Sequence, residues 1–165
     1  FSITQIGTIV AVYPAVWGFG QIITGPMADR FCKRNVLYSG MLIQALSLLG
    51  LVWADLMWHF IVLSIFLGIG TALVYPTFLA TVAENTHPLD RAKSIGIFRL
   101  WRDLGYAIGA VLTGVLADLF NLNISILAIA LLTFVSAGIL YFRIHCRNPF
   151  HYLHPREEFR GVTSK

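Results

Sequence analysis

Apolar residues along this 165-residue chain come in long runs, broken by short polar joints. The first run covers about residues 6–27, or 22 positions, which at 1.5 Å per residue is roughly 33 Å of helix and enough to cross a hydrocarbon core. Further runs cover about 36–54, 59–83 and 124–142. The fourth in order is harder to place. Its uninterrupted part, Leu104 to Ala117, is only 14 residues. To span, the helix must take in Phe98 to Asp103 and extend over about 95–117. That puts Arg99, Arg102 and Asp103 at or just inside a membrane boundary. Arg99 and Asp103 are four apart and can pair along the helix. The pattern therefore predicts five spanning helices and no strands.

Departures from pure apolarity mark special positions. Pro14 and the Tyr75-Pro76 pair each remove a backbone donor and predict bends. Gly68, Gly70 and Ala72 invite close approach of a neighbouring helix, and Gly105, Gly109 and Gly114 form a second small-residue seam. Tyr13, Trp17 and Gln21 recur at i, i+4 and i+8 and share one helix face. With Gln44 and Tyr75 they are candidates for a cavity lining. The other reading of these five is aromatic packing and interhelical hydrogen bonding.

Composition sharpens the class. The chain is 57% hydrophobic and 12% charged, with a mean hydropathy of +0.74. A soluble domain would carry about 25% charged residues. The chain reads as an all-α membrane protein, with residues 1–146 as the transmembrane bundle and 147–165 as a polar tail. A net charge of +4 with no gathered basic face excludes a nucleic-acid footprint. Placement of charge is more telling. Arg30, Lys33 and Arg34 occupy the first joint, Arg91 and Lys93 the third, and Arg143, Arg147, Arg156, Arg160 and Lys165 the tail. The second and fourth joints carry none. The positive-inside rule then places the first and third joints and the C-terminus in the cytoplasm, and the N-terminus outside, of a multi-pass protein of the plasma or inner membrane.

Catalytic and cofactor motifs are not found. There is no Gly-x-Ser-x-Gly, no phosphate loop and no histidine pair at metal spacing, so no enzyme activity, cofactor or metal is expected. Cys32 and Cys146 lie outside any metal or redox spacing and are expected to be free thiols.

The joint Gly25-Pro26-Met27-Ala28-Asp29-Arg30-Phe31-Cys32-Lys33-Arg34 resembles the loop signature of the major facilitator superfamily, Gly-x-x-x-Asp-Arg/Lys-x-Gly-Arg/Lys-Arg/Lys. Gly25, Asp29, Arg30, Lys33 and Arg34 match, and Cys32 stands where the family has glycine. Phe98 to Gly109 resembles the start of helix eleven in bacterial drug-efflux-like members. The resemblance covers roughly residues 1–146. It implies helices eight to twelve of a twelve-helix transporter: an incomplete C-terminal six-helix bundle, whose N-terminal six-helix half is absent.

That resemblance implies roles. Asp29 would sit near a helix N-terminus of the other half, where negative charge is favoured. Glu84 would pair with Arg34 or Lys33. Such contacts would lock the cytoplasmic side and break as the halves rock. Arg99, Arg102 and Asp103 either reach to the interface or join this gate. The implied partners are a lipid bilayer, the missing half and a small-molecule substrate. If transport is proton-coupled, the titrating carboxylate is expected in the missing half, since no acid is expected deep within a span. The alternative is a helix bundle without transport activity, acting only as an interaction module.

Overall fold

The computed structural model describes residues 2–146, with the side chains of residues 28–30 outside the description. The tail expected at 147–165 lies outside the described residues. Five long helices follow one another: α1 (Ile3–Arg30), α2 (Lys33–Leu51), α3 (Met57–Glu84), α4 (Arg91–Leu119) and α5 (Leu122–Arg143). A single 3-10 turn, Pro88–Asp90, leads into α4, with Pro88 at its start as expected for a residue lacking a backbone donor.

The ends are set by local chemistry. Ser2 and Gln5 form a reciprocal capping box at the start of α1: the Gln5 amide donates to Ser2 Oγ at 3.3 Å and the Ser2 amide to Gln5 Oε1 at 2.8 Å. Asn121 caps α5 by accepting from the Ile124 amide at 2.8 Å. The charged knot read as a loop is mostly helix. Only Phe31 and Cys32 separate α1 from α2. Cys32 turns the chain at φ −59°, so the position needs no glycine.

α3 is the centre. It packs along α1 on one side and α2 on the other, and more lightly against α4; α2 also packs on α5, and α5 on α4. α1 and α2, adjacent in sequence, scarcely touch. The small residues of α3 explain the arrangement. A Cβ at Gly68 would fall 2.9 Å from the Tyr13 carbonyl oxygen, and one at Gly70 would fall 2.7 Å from the Gly40 carbonyl oxygen. Gly68 and Ala72 are one turn apart and meet α1, while Gly70 lies on the opposite side and meets α2. The backbones approach closely because nothing stands between them.

The glycines of α4 behave differently. A Cβ at Gly105, Gly109 or Gly114 meets nothing within 4 Å, so among the described residues the expected seam meets no other helix. The same is true of Gly25. α4 has no buried residue at all.

Large apolar side chains point outward all round the bundle; Phe19, Ile22 and Ile23 of α1 are 75%, 73% and 74% exposed. Such a surface suits lipid and not water. α1 (over Ile3–Met27), α3 and α5 are long and apolar enough to cross a membrane. α2 starts with Lys33-Arg34-Asn35, and α4 carries Arg91, Lys93, Arg99, Arg102, Asp103 and Asp118, which lowers the hydropathy of both.

Candidate functional site

Take as the inner end of the bundle the one shared by Arg30, Lys33, Glu84, Arg91 and Arg143. Counting upward at 1.5 Å per residue, Tyr75, Arg102, Gln44, Thr71 and Trp17 stand roughly 13 to 20 Å above it, in helices up to roughly 42 Å long. Four separate helices thus deliver polar and aromatic groups to one level near mid-height.

Thr71 is the hub. Its hydroxyl donates to the Leu67 carbonyl at 2.9 Å, and its oxygen accepts from Gln44 Nε2 at 2.7 Å and from the Tyr13 hydroxyl at 3.3 Å. α1, α2 and α3 are tied together at this one atom. The sequence reading did not single out Thr71. Its place one turn before Tyr75, beside Gly70, was the available signal. Around the hub, Tyr13 stacks on Trp17 with centroids 6.3 Å apart, and Trp17 meets Tyr75 edge-on at 6.0 Å. The Trp17 indole nitrogen is buried and has no acceptor among the described residues. Gln21 is half-buried on the same face of α1.

α4 adds charge. The Arg102 guanidinium lies over the Tyr75 ring, 5.1 Å from its centroid, an arrangement favoured by the ring's negative face. Arg102 also grips Asp103, with Nε and Nη2 at 2.9 Å and 2.8 Å from Oδ1. One expectation is corrected here. Asp103 pairs with its neighbour Arg102 and not with Arg99, which is exposed and has no ion-pair partner among the described residues. α4 begins at Arg91, so Arg102 and Asp103 stand roughly 17 to 18 Å along the helix from its start. The Asp103 side chain is 60% exposed. A charge facing hydrocarbon is costly, so an exposed carboxylate here suits water or protein better than lipid.

The inner end carries a second cluster. Lys33, at the start of α2, forms an ion pair with Glu84, at the end of α3. Of the two partners expected for Glu84, Lys33 takes the role. Arg34 lies instead over the Tyr141 ring of α5, 4.8 Å from its centroid, and Tyr38 meets the same ring at 5.0 Å. Asp29 and Arg30 fall in the last turn of α1, but their side chains lie outside the described residues. Cys32 and Cys146 are joined in a disulfide, with Cα atoms 5.5 Å apart. This corrects the expectation of free thiols. The two are 114 residues apart, but α2 packs along α5, which brings the start of one beside the end of the other. No cluster of three metal-ligating side chains occurs among the described residues.

The family model of the Major Facilitator Superfamily matches residues 1–161. The chain belongs to the major facilitator superfamily. Its relatives in this superfamily include the inner membrane transport protein YnfM of Escherichia coli, 24% identical over 87% of this chain and 35% of the relative. The multidrug resistance protein MdtH of Aeromonas hydrophila is 27% identical over 67% of the chain and 30% of the relative. The chloramphenicol resistance protein CraA of Acinetobacter baumannii is 30% identical over 69% and 28%. The chain spans about a third of the length of such relatives. It is an integral membrane protein of a transporter superfamily, whose members are in general not enzymes.

Proposed function

We propose that the chain is the C-terminal part of a secondary transporter, corresponding to helices eight to twelve, and that all five helices cross the membrane with the inner end in the cytoplasm. A second helical bundle would cover the exposed face of α4, and a small solute would bind between the two and cross by alternating access. The observation that carries this reading is the mid-height cluster of Tyr13, Trp17, Gln44, Thr71, Tyr75 and Arg102, next to the uncovered Asp103. Half-buried aromatic faces, an unpartnered indole donor and one cation are what a small amphipathic solute needs to be held and oriented. The names of MdtH and CraA suggest an exported antibacterial compound as the first class to try. At the inner end, Lys33, Glu84 and Asp29 would close the cytoplasmic side, and Arg30, Arg34 and Arg99 would contribute positive charge.

The test uses the full-length protein. Tyr75→Leu and Arg102→Gln should each lower transport about tenfold, the ~1.4 kcal/mol of one good polar or ring contact, with membrane abundance unchanged. Undiminished transport in both variants would remove the cluster from consideration as a substrate site. The share of its relatives that the chain covers favours a second reading for these 165 residues by themselves: a helix bundle that does not transport and serves as an interaction module. Reconstituted alone in liposomes it should show no uptake above empty vesicles, and uptake there would overturn that reading.

A further inference from the structure

The chain has two cysteines, and both stand at the inner end. Cys32 is the second of the two residues joining α1 to α2, and Cys146 lies three residues past the end of α5. Their Cα atoms are 5.5 Å apart, a separation that a disulfide bridges without backbone movement. Contacts other than the bond set that separation. α2 packs along α5, the Arg34 guanidinium lies over the Tyr141 ring, and Tyr38 meets the same ring. The two sulfurs therefore stay within reach of each other when the bond is open.

The two cysteines differ in setting. Cys32 is the N-cap residue of α2 and is half-buried, with Lys33 and Arg34 next in sequence. A helix start favours negative charge, and reactive thiolates occur in such electropositive places. Lys33 shares its charge with Glu84, whereas Arg34 meets only the uncharged Tyr141 ring and the side chain of Asn35. Cys146 is exposed and follows the opposite, electronegative end of α5. One sulfur is placed to attack and the other to follow. The cytoplasm keeps thiols reduced, and disulfides found there are as a rule transient. A permanent staple does not suit that compartment, but a pair that closes on oxidation does.

We propose that Cys32 and Cys146 are a peroxide-responsive pair, reduced in the resting cell and joined by oxidation, with Cys32 as the attacking sulfur. The Cys32 thiolate attacks one oxygen of hydrogen peroxide, the O–O bond breaks, and the hydroxide that leaves takes up a proton to become water. Cys32 is then a sulfenic acid. The Cys146 thiolate attacks the Cys32 sulfur, the S–O bond breaks, and a second hydroxide leaves as water while the S–S bond forms. The two sulfurs lose two electrons to the peroxide, and the two thiols supply both protons. A dithiol restores the thiols by exchange.

The proposal rests on the cytoplasmic placement of the inner end given above, so the experiment reads the two separately. Cells making the full-length protein receive a brief hydrogen peroxide pulse and are quenched in acid. Thiols are counted with a maleimide under denaturing conditions, and the sites are located by peptide mass spectrometry. Both cysteines should be free before the pulse, bonded to each other after it, and free again after dithiothreitol. With dimedone present, Cys32 of the Cys146→Ser variant should gain the sulfenic adduct about tenfold faster than Cys146 of the Cys32→Ser variant. A bond already present in untreated cells, thiols still free after the pulse, a bond between two copies, or equal adduct rates would each overturn the proposal. An impermeant maleimide that labels either cysteine of intact cells would overturn the placement and the proposal together.

Discussion

Thr24 shows how one hydroxyl can repair a broken helix. Pro76 lacks the amide that would have bonded the Ala72 carbonyl four residues earlier. The Thr24 hydroxyl of α1 donates to that carbonyl at 2.6 Å, in a buried position. Proline in α3 therefore creates an acceptor that α1 fills, and the missing bond becomes a tie between helices. Thr24→Val should cost about 1–3 kcal/mol, the penalty of a buried acceptor left unpaired, while Thr24→Ser should retain most of the stability. Unfolding of the purified protein in mixed micelles by added sodium dodecyl sulfate would read both. Equal stability of all three forms would mean that another group satisfies Ala72.

At the scale of helices, the two glycine sets make opposite predictions. Gly68→Val would force side-chain atoms into the Tyr13 carbonyl and Val16 of α1, and the backbone there cannot yield as a flexible side chain could. A loss of about 1–3 kcal/mol is expected from such overpacking. Gly109→Val meets open space and should leave the stability of these five helices unchanged. If the proposed second bundle covers α4, the same change in the full-length protein should reduce transport. Parallel stability curves for the two variants, measured in the same micelles, would contradict the packing described.

The helices themselves were legible from the runs of apolar residues, since spanning a membrane demands length and apolarity that few other segments have. Their ends were less so. The charged residues near Asp29 suggested a loop, whereas helical hydrogen bonding continues to Arg30, and α4 starts at Arg91, four residues before the expected 95. The pairing of Lys33 with Glu84 was foreseen as one of two options, because a short joint leaves few cations within reach. The Thr71 hub and the Thr24 tie were not, since each depends on α1 lying against α3 and not against its sequence neighbour α2. The α4 seam was read correctly as small residues but not as an uncovered surface, because periodicity tells which residues share a face and not what faces them.

For the molecule as a whole, orientation and the cysteine pair can be tested together. On the orientation implied by the basic joints, Cys32 and Cys146 stand on the cytoplasmic side, where thiols are kept reduced. In intact cells an impermeant maleimide should label neither, and labelling of either would reverse the orientation. After purification and mild oxidation, both should resist a maleimide under denaturing conditions until a reductant is added, when two labels should be gained. Two labels without reductant would separate the pair.

That pair has a topological effect on the bundle. Bonding Cys32 to Cys146 closes residues 32–146 into a ring that holds α2, α3, α4 and α5, with α1 attached outside it. The bond holds the start of α2 to the end of α5, so these two helix ends cannot part at the inner end. Any widening of that end while the bond is shut must leave the two of them together.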